Sequence, residues 1–325
     1  MTKQNFKRFL KSLEKIRFFF FDFDGNIAHT FLHVPNEEAN IVVGAYSHAL
    51  SMIWGKESYE LLHSVNGLQN RAPGELIRAI LEQAEREFSG GRQSLIAKAK
   101  VAFHEKFMGK PMNVRLSACV AQGKGFPWVW NDKKPEQTIT EFLVRAKLNT
   151  LLVKIGEHYP TPCPGFRHFY LKLKYYGQET GSAIVPGIIS SGHEVFIQQT
   201  FATWKIECPS LLLTDDDLRG SPEIDYVQAA KPNPMLVDML YRLWLENQYS
   251  QLPARQFQEF KEAAKARTIY FGDDLNKDGG LAQKAGIRFG HFSPNHDPEK
   301  SDEAAGSDNF VFYDWRQVPG ILGLV

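Results

Sequence analysis

Asp22 and Asp24 stand two residues apart, directly after the run Phe18 to Phe21 and before Gly25 and Asn26. On an extended chain, residues two apart point to the same side. Two carboxylates so placed repel each other unless a cation or a shared proton lies between them. Such a pair suits a bound metal joined to acid–base or nucleophilic chemistry. Three other groups complement it. Ser190-Ser191-Gly192 offers hydroxyls and free backbone N–H groups before a helix, a place for an anion. Lys231, followed by Pro232, offers a positive charge on a stiffened backbone. Gly272-Asp273-Asp274, with Asp278 four residues on, is a second carboxylate cluster, and its hard oxygen donors match magnesium better than zinc or copper.

Each group has a plainer alternative when taken alone. Asp and Gly make turns, Ser and Gly cap helices, a lysine in a loop is solvated by default, and Asp278 fits a helix first turn as a favourable charge. His193 is expected as an exposed first-turn histidine, and Asp215-Asp216-Asp217 as a solvated acidic run and not as a rival metal site. In their order along the chain, however, an Asp pair, a hydroxyl, a lysine and a second Asp cluster are the components of phosphoryl transfer through an aspartyl phosphate. One carboxylate attacks phosphorus, lysine and magnesium neutralise the phosphoryl oxygens, and another carboxylate moves protons.

The elements that must hold these groups can be read from patterning. Four consecutive apolar residues suit a strand buried on both faces, as in a parallel sheet. Further strands are predicted at Gly187 to Ser190, Leu211 to Thr214, Thr268 to Phe271, Ile287 to His291 and Phe310 to Phe312, with helices at 166–176, 194–203, 233–247 and 278–285 between them. Strands spaced by helices imply βαβ units, and each chemical group above falls at the C-terminal end of a predicted strand, where open parallel sheets place their ligands. Between Asn26 and His158 the apolar spacing is helical instead, over 36–54, 57–65, 73–88, 93–107 and 136–158, with an irregular stretch at 109–134. So long a helical block between two strands of one sheet reads as an inserted domain. The expected division is an α/β core of residues 1–29 with 160–325, and a helical domain of residues 30–159.

Bulk properties narrow the classes. A formal charge of +1 gives no long-range field for a nucleic-acid polymer or an anionic membrane surface, and no basic stripe with interleaved aromatics occurs. Cys119, Cys163 and Cys208 are far apart and odd in number, which argues against a disulfide framework or a zinc site and for a reducing, cytoplasmic setting. No apolar stretch reaches the length of a transmembrane helix.

Taken together, the motifs resemble those of the haloacid dehalogenase superfamily: Asp22-Phe-Asp24-Gly25-Asn26, then Ser190, then Lys231 with Pro232, then Gly272-Asp273-Asp274 with Asp278. The stretches 211–219 and 309–315 are similar to that family's third strand and closing strand, so the resemblance covers about half the chain. It implies a Rossmann-like, doubly wound parallel sheet with an enlarged α-helical cap domain inserted after the first motif. It further implies magnesium-dependent hydrolysis of a small phosphorylated metabolite. Asp22 would be nucleophile and metal ligand. Asp24 would act as acid and base, with its backbone carbonyl on the metal. Asp273 and Asp274 would complete the metal site, with Asp278 behind it, and Ser190, Ser191 and Lys231 would grip phosphate. Within the insertion, Asn70 and Arg71 lie in a stretch similar to the family's substrate-facing loop. A phosphosugar mutase of the same fold and a non-catalytic binding protein on the same scaffold are the alternatives. Asp24 opposes a dehalogenase, because family members that cleave carbon–halogen bonds lack that second aspartate.

Overall fold

Strand β1 (Ile16–Phe21) lies at the centre of the sheet, and its four phenylalanines are fully buried. Because side chains alternate along a strand, Phe18 and Phe20 face one layer, against Tyr241 and Trp244, while Phe19 and Phe21 face the other, against Phe169, Phe166, Phe271 and Trp315. Each buried aromatic of this kind contributes about 3–5 kcal/mol when judged by truncation to alanine.

The computed structural model describes residues 3–30, 41–55, 73–87, 89–106, 130–154, 159–219, 230–248, 252–294 and 309–324. The remaining strands are β2 (Ala28–His29), β3 (Thr161–Pro162), β4 (Ala183–Ser190), β5 (Leu211–Thr214), β6 (Thr268–Gly272), β7 (Arg288–Phe292) and β8 (Phe310–Phe312). Six of them form one sheet in the order β5-β4-β1-β6-β7-β8, with every neighbouring pair parallel. Chain order runs outward from β1 to β4 and β5 on one side, then crosses to β6, β7 and β8 on the other. The reversal falls between β1 and β6, the switch point of a doubly wound sheet.

Helix α1 (Lys3–Ser12) packs Phe6 and Phe9 into the layer of Phe18 and Phe20. The chain divides into two compact units, residues 1–29 with 160–325, and residues 30–159. The second unit contains α2 (Ile41–Trp54), α3 (Pro73–Glu87), α4 (Gly91–Lys106) and α5 (Pro135–Lys154). It has a core of its own, which includes Leu50, Trp54, Ile77, Leu81, Phe103 and Phe142. The first unit adds α6 (Phe166–Glu179), α7 (Glu194–Thr203), α8 (Asp215–Arg219), α9 (Met235–Gln248), α10 (Ala254–Lys265), α11 (Gly280–Ala285) and α12 (Val318–Ile321) around the sheet. Within it, the short antiparallel pair β2–β3 joins Ala28 to Pro162 and His29 to Thr161.

Several elements differ from the expectations. Strand β4 begins at Ala183, four residues before the predicted start. Helix α10 was not expected, although Phe257, Phe260 and Ala264 are buried at helical spacing on it. The helix expected from Asp278 is instead a wide turn over Leu275–Gly279 followed by α11. The helix expected over 57–65 and most of the irregular stretch 109–134 lie outside the described residues. Among the described residues no helix is long and apolar enough to cross a membrane.

Candidate active site

The carboxyl ends of β1 and β6 carry the site. The backbone N–H of Asp22 donates to Phe271 O at 2.8 Å, which extends the β1–β6 ladder one step past the strand. Asn26 then closes the turn, donating through Nδ2 to Asp22 O at 3.1 Å and to Phe271 O at 2.9 Å. Between them Gly25 has φ +76°, and a Cβ there would lie 2.2 Å from Asp273 Oδ2. Glycine is therefore required twice over, for the left-handed turn and for the approach of Asp273.

Lys231, from the loop before α9, reaches this point buried. Its Nζ donates to Asp22 Oδ1 at 2.5 Å and to Asp278 Oδ1 at 2.9 Å. Asp278 is buried as well, and it also accepts from Tyr270 Oη at 3.1 Å and from Asp274 N at 3.3 Å. Gly272 makes room for it, since a Cβ there would lie 2.4 Å from its carboxyl group. Oxygens of Asp22, Asp273 and Asp278 all lie within 4.8 Å of one another.

The electrostatics follow from that crowding. Burial pushes the Asp22 carboxyl well above the usual range; Lys231 pulls against the rise, and Asp278, Asp273 and Asp24 add to it. Burial opposes the charge on Lys231, but Asp22 and Asp278 outweigh it and hold its ammonium well above the ordinary lysine value. Asp273 is pushed up to about 7, by desolvation first and then by the charge of Asp278. Its side chain remains open to solvent, which favours a smaller shift than full burial would produce. Three carboxylates around one ammonium leave two negative charges in excess, which one divalent cation balances. The donors are all hard oxygens and their spread is close to the ~3–4 Å between oxygens around magnesium, so the residues fit that ion.

Asp24 and Ser190 both lie close to Gly192. A Cβ on Gly192 would lie 3.1 Å from Ser190 Oγ and 3.5 Å from Asp24 Oδ2, so both groups border one small gap. Ser190 Oγ accepts from Gly192 N at 2.9 Å. Ser190, the exposed Ser191 and Lys231 line a small cavity with Thr214 and Asp215.

Asp274, expected on the metal, has Oδ1 accepting from Asn276 N at 2.9 Å and Lys277 N at 3.0 Å, capping the turn. Asp278, expected behind the metal, is grouped with Asp22 and Asp273, and both of its carboxylate oxygens accept hydrogen bonds. His193, expected exposed, is buried at the start of α7 with Nδ1 2.9 Å from Asp216 Oδ1. The acidic run is likewise partnered: Asp216 Oδ2 accepts from Glu194 N at 3.2 Å, and Asp217 Oδ2 from Thr214 N at 2.8 Å. Tyr270 was missed altogether, because a tyrosine inside an apolar strand carries no signal of a polar partner. Asn70 and Arg71 lie outside the described residues.

No family model and no curated protein matches the chain. Solved structures do. An HAD phosphatase from Thermococcus onnurineus is 15% identical, with 94% of this chain and 98% of that one covered, at a TM-score of 0.45. A hydrolase from Pseudomonas syringae is 15% identical, with 95% and 99% covered, at a TM-score of 0.44. A 2-haloacid dehalogenase from Pseudomonas syringae pv. Tomato DC3000 is 15% identical, with 95% and 98% covered, at a TM-score of 0.42. The phosphatase and the dehalogenase are members of the haloacid dehalogenase superfamily, the family that the four motifs of this chain resemble.

Proposed function

We propose that the protein is a magnesium-dependent hydrolase of small-molecule phosphomonoesters that works through an aspartyl phosphate on Asp22. The observation that carries this reading is the Asp22 carboxylate at the end of the central strand, bonded to Lys231 at 2.5 Å and grouped with Asp273 and Asp278. Asp22 attacks phosphorus, and the ester oxygen leaves with a proton from Asp24. Asp24, now ionised, takes a proton from water, whose oxygen attacks the same phosphorus, and inorganic phosphate leaves with Asp22 restored. Lys231 holds a phosphoryl oxygen by a charge-assisted hydrogen bond, and the hydroxyls of Ser190 and Ser191 donate to others. Asp22, Asp273 and Asp278, with the Asp24 carbonyl, would hold magnesium, which would supply positive charge to the phosphoryl oxygens and so let an anion approach these carboxylates. The raised Asp22 pKa supports the need for that charge, because its nucleophilic form is the ionised one.

The reading extends to the division of labour along the chain. Residues 1–29 with 160–325 carry the chemistry, and residues 30–159 supply selectivity for the leaving group.

The test is Asp22→Asn assayed on an aryl phosphate with and without magnesium. The change keeps the side-chain volume and removes the nucleophile, so turnover should disappear in the variant, and in the wild type on adding a chelator. Substantial activity of Asp22→Asn would replace the covalent route with direct attack by water. A wild type indifferent to chelator would remove the metal.

A further inference from the structure

One buried polar pair beside the candidate active site has no part in the reaction proposed for it. The side chains of His193 and Asp216 are only 4% and 1% exposed, with His193 Nδ1 2.9 Å from Asp216 Oδ1. A carboxylate oxygen accepts, so Nδ1 carries the hydrogen of that bond. His193 Nε2 is buried without a hydrogen-bond partner among the described residues, so within them the bond to Asp216 alone orients the ring. The other carboxylate oxygen of Asp216 accepts from Glu194 N at 3.2 Å. Glu194 opens α7, and His193 before it makes no side-chain cap. First-turn N–H groups have no acceptor within their own helix, and Asp216 supplies one from just beyond the end of β5. One carboxylate thus holds two consecutive residues, the first by its side chain and the second by its backbone.

Those two residues end the segment that carries the seryl hydroxyls. Ser190 closes β4 and pairs with Thr214 of β5, and Asp216 stands two residues past Thr214. Only Ser191 and Gly192 lie between Ser190 and His193. The segment is therefore fastened at both ends, to the sheet through Ser190 and to Asp216 through His193 and Glu194. Inside it Gly192 N donates to Ser190 Oγ at 2.9 Å, and a Cβ on Gly192 would lie 3.5 Å from Asp24 Oδ2. A shift of the segment moves the Ser191 hydroxyl, loosens the bond at Ser190 Oγ and changes the spacing to Asp24.

We propose that Asp216, acting through His193 and the N–H of Glu194, is a positioning residue that holds the Ser190–Gly192 segment in the shape that binds phosphate. The inference rests on the phosphatase reading. Buried polar side chains are costly unless bonded, and donors fixed before a ligand arrives need no ordering when it binds.

Calorimetric titration of the full chain with magnesium chloride, and then at saturating magnesium with inorganic phosphate, tests the proposal. His193→Leu removes the Nδ1 donor, and its phosphate affinity should fall at least about tenfold. Its magnesium affinity should stay within about twofold of wild type, because the acidic cluster stands at the ends of β1 and β6. His193→Asn places an amide N–H where Nδ1 stands and should recover phosphate binding to within about threefold of wild type. Asp216→Asn leaves one acceptor for two donors and should match His193→Leu; it carries the comparison if urea unfolding shows His193→Leu to be poorly folded. Phosphate affinity unchanged in both His193→Leu and Asp216→Asn overturns the proposal. So does a parallel loss of magnesium and phosphate binding, which would make the pair a support of the fold alone, or a His193→Asn protein as weak as His193→Leu. A wild type that binds magnesium but no phosphate at millimolar concentration removes the phosphatase reading itself, and this inference with it.

Discussion

Replacing Gly272 by alanine adds a methyl group 2.4 Å from Cβ, Cγ and Oδ2 of Asp278. An unstrained contact between such atoms is about 3.5 Å or more, so the Asp278 carboxylate must withdraw by roughly 1 Å. It is bonded to Lys231 at 2.9 Å and to Tyr270 at 3.1 Å, and a displacement of that size leaves neither bond intact. Overpacking of this kind costs about 1–3 kcal/mol. The loosened buried ion pair adds to it, for a total on the order of 3–5 kcal/mol. Activity should fall about a hundredfold, the usual effect of a 1 Å misplacement among reacting groups. The assay is urea unfolding in parallel with kcat/KM on an aryl phosphate. Gly320→Ala is the control, because nothing lies within 4 Å of a Cβ there, and its stability should change by no more than about 0.5 kcal/mol. A Gly272→Ala protein within twofold of wild type in kcat/KM and of unchanged stability would refute the placement of Asp278 against Gly272.

Removing the charge of Lys231 by Lys231→Ala strands Asp22 and Asp278 as buried carboxylates, so stability without metal should drop by about 3–5 kcal/mol, measured by urea unfolding; a loss under about 1 kcal/mol would contradict the ion pair. Asp278→Asn should weaken magnesium binding in calorimetry at least about tenfold, whereas Asp274→Asn, whose amide oxygen can still cap the turn, should leave it nearly unchanged; the opposite ranking would restore Asp274 to the metal. Asp22 lies well above and Asp273 at about 7 against the usual carboxylate value. Groups raised in this way stabilise the metal-free fold fully at pH below the unfolded value and cease to do so as pH rises through the folded one. Magnesium needs their ionised forms, so its gain in Tm should be larger at pH 8 than at pH 5.5, and an equal gain at both would count against the cluster.

The sheet and most of the site are legible in the sequence because each depends on a short-range pattern. A strand buried on both faces must be an unbroken apolar run, and a site at its end must be the first polar residue after it. Asp22, Ser190 and Asp273 all stand in that position. Glycine marks the same places for a local reason, since Gly25 and Gly272 leave space that any side chain would fill. Helix α10 carried its pattern too, in Phe257, Phe260 and Ala264, but two-residue strands such as β2 and β3 have no period to read. The choice between Asp274 and Asp278 is of another kind. Both fit a carboxylate cluster by spacing, and only the capped turn, together with a lysine 47 residues away, turns one inward and the other out. The burial of His193 likewise requires Asp216 from the next strand's end. Lys231 meets Asp22 across 209 residues of chain. Patterning decides which residues end a strand; strand order decides which of those ends share one space, since that order brings together charges that are distant along the chain.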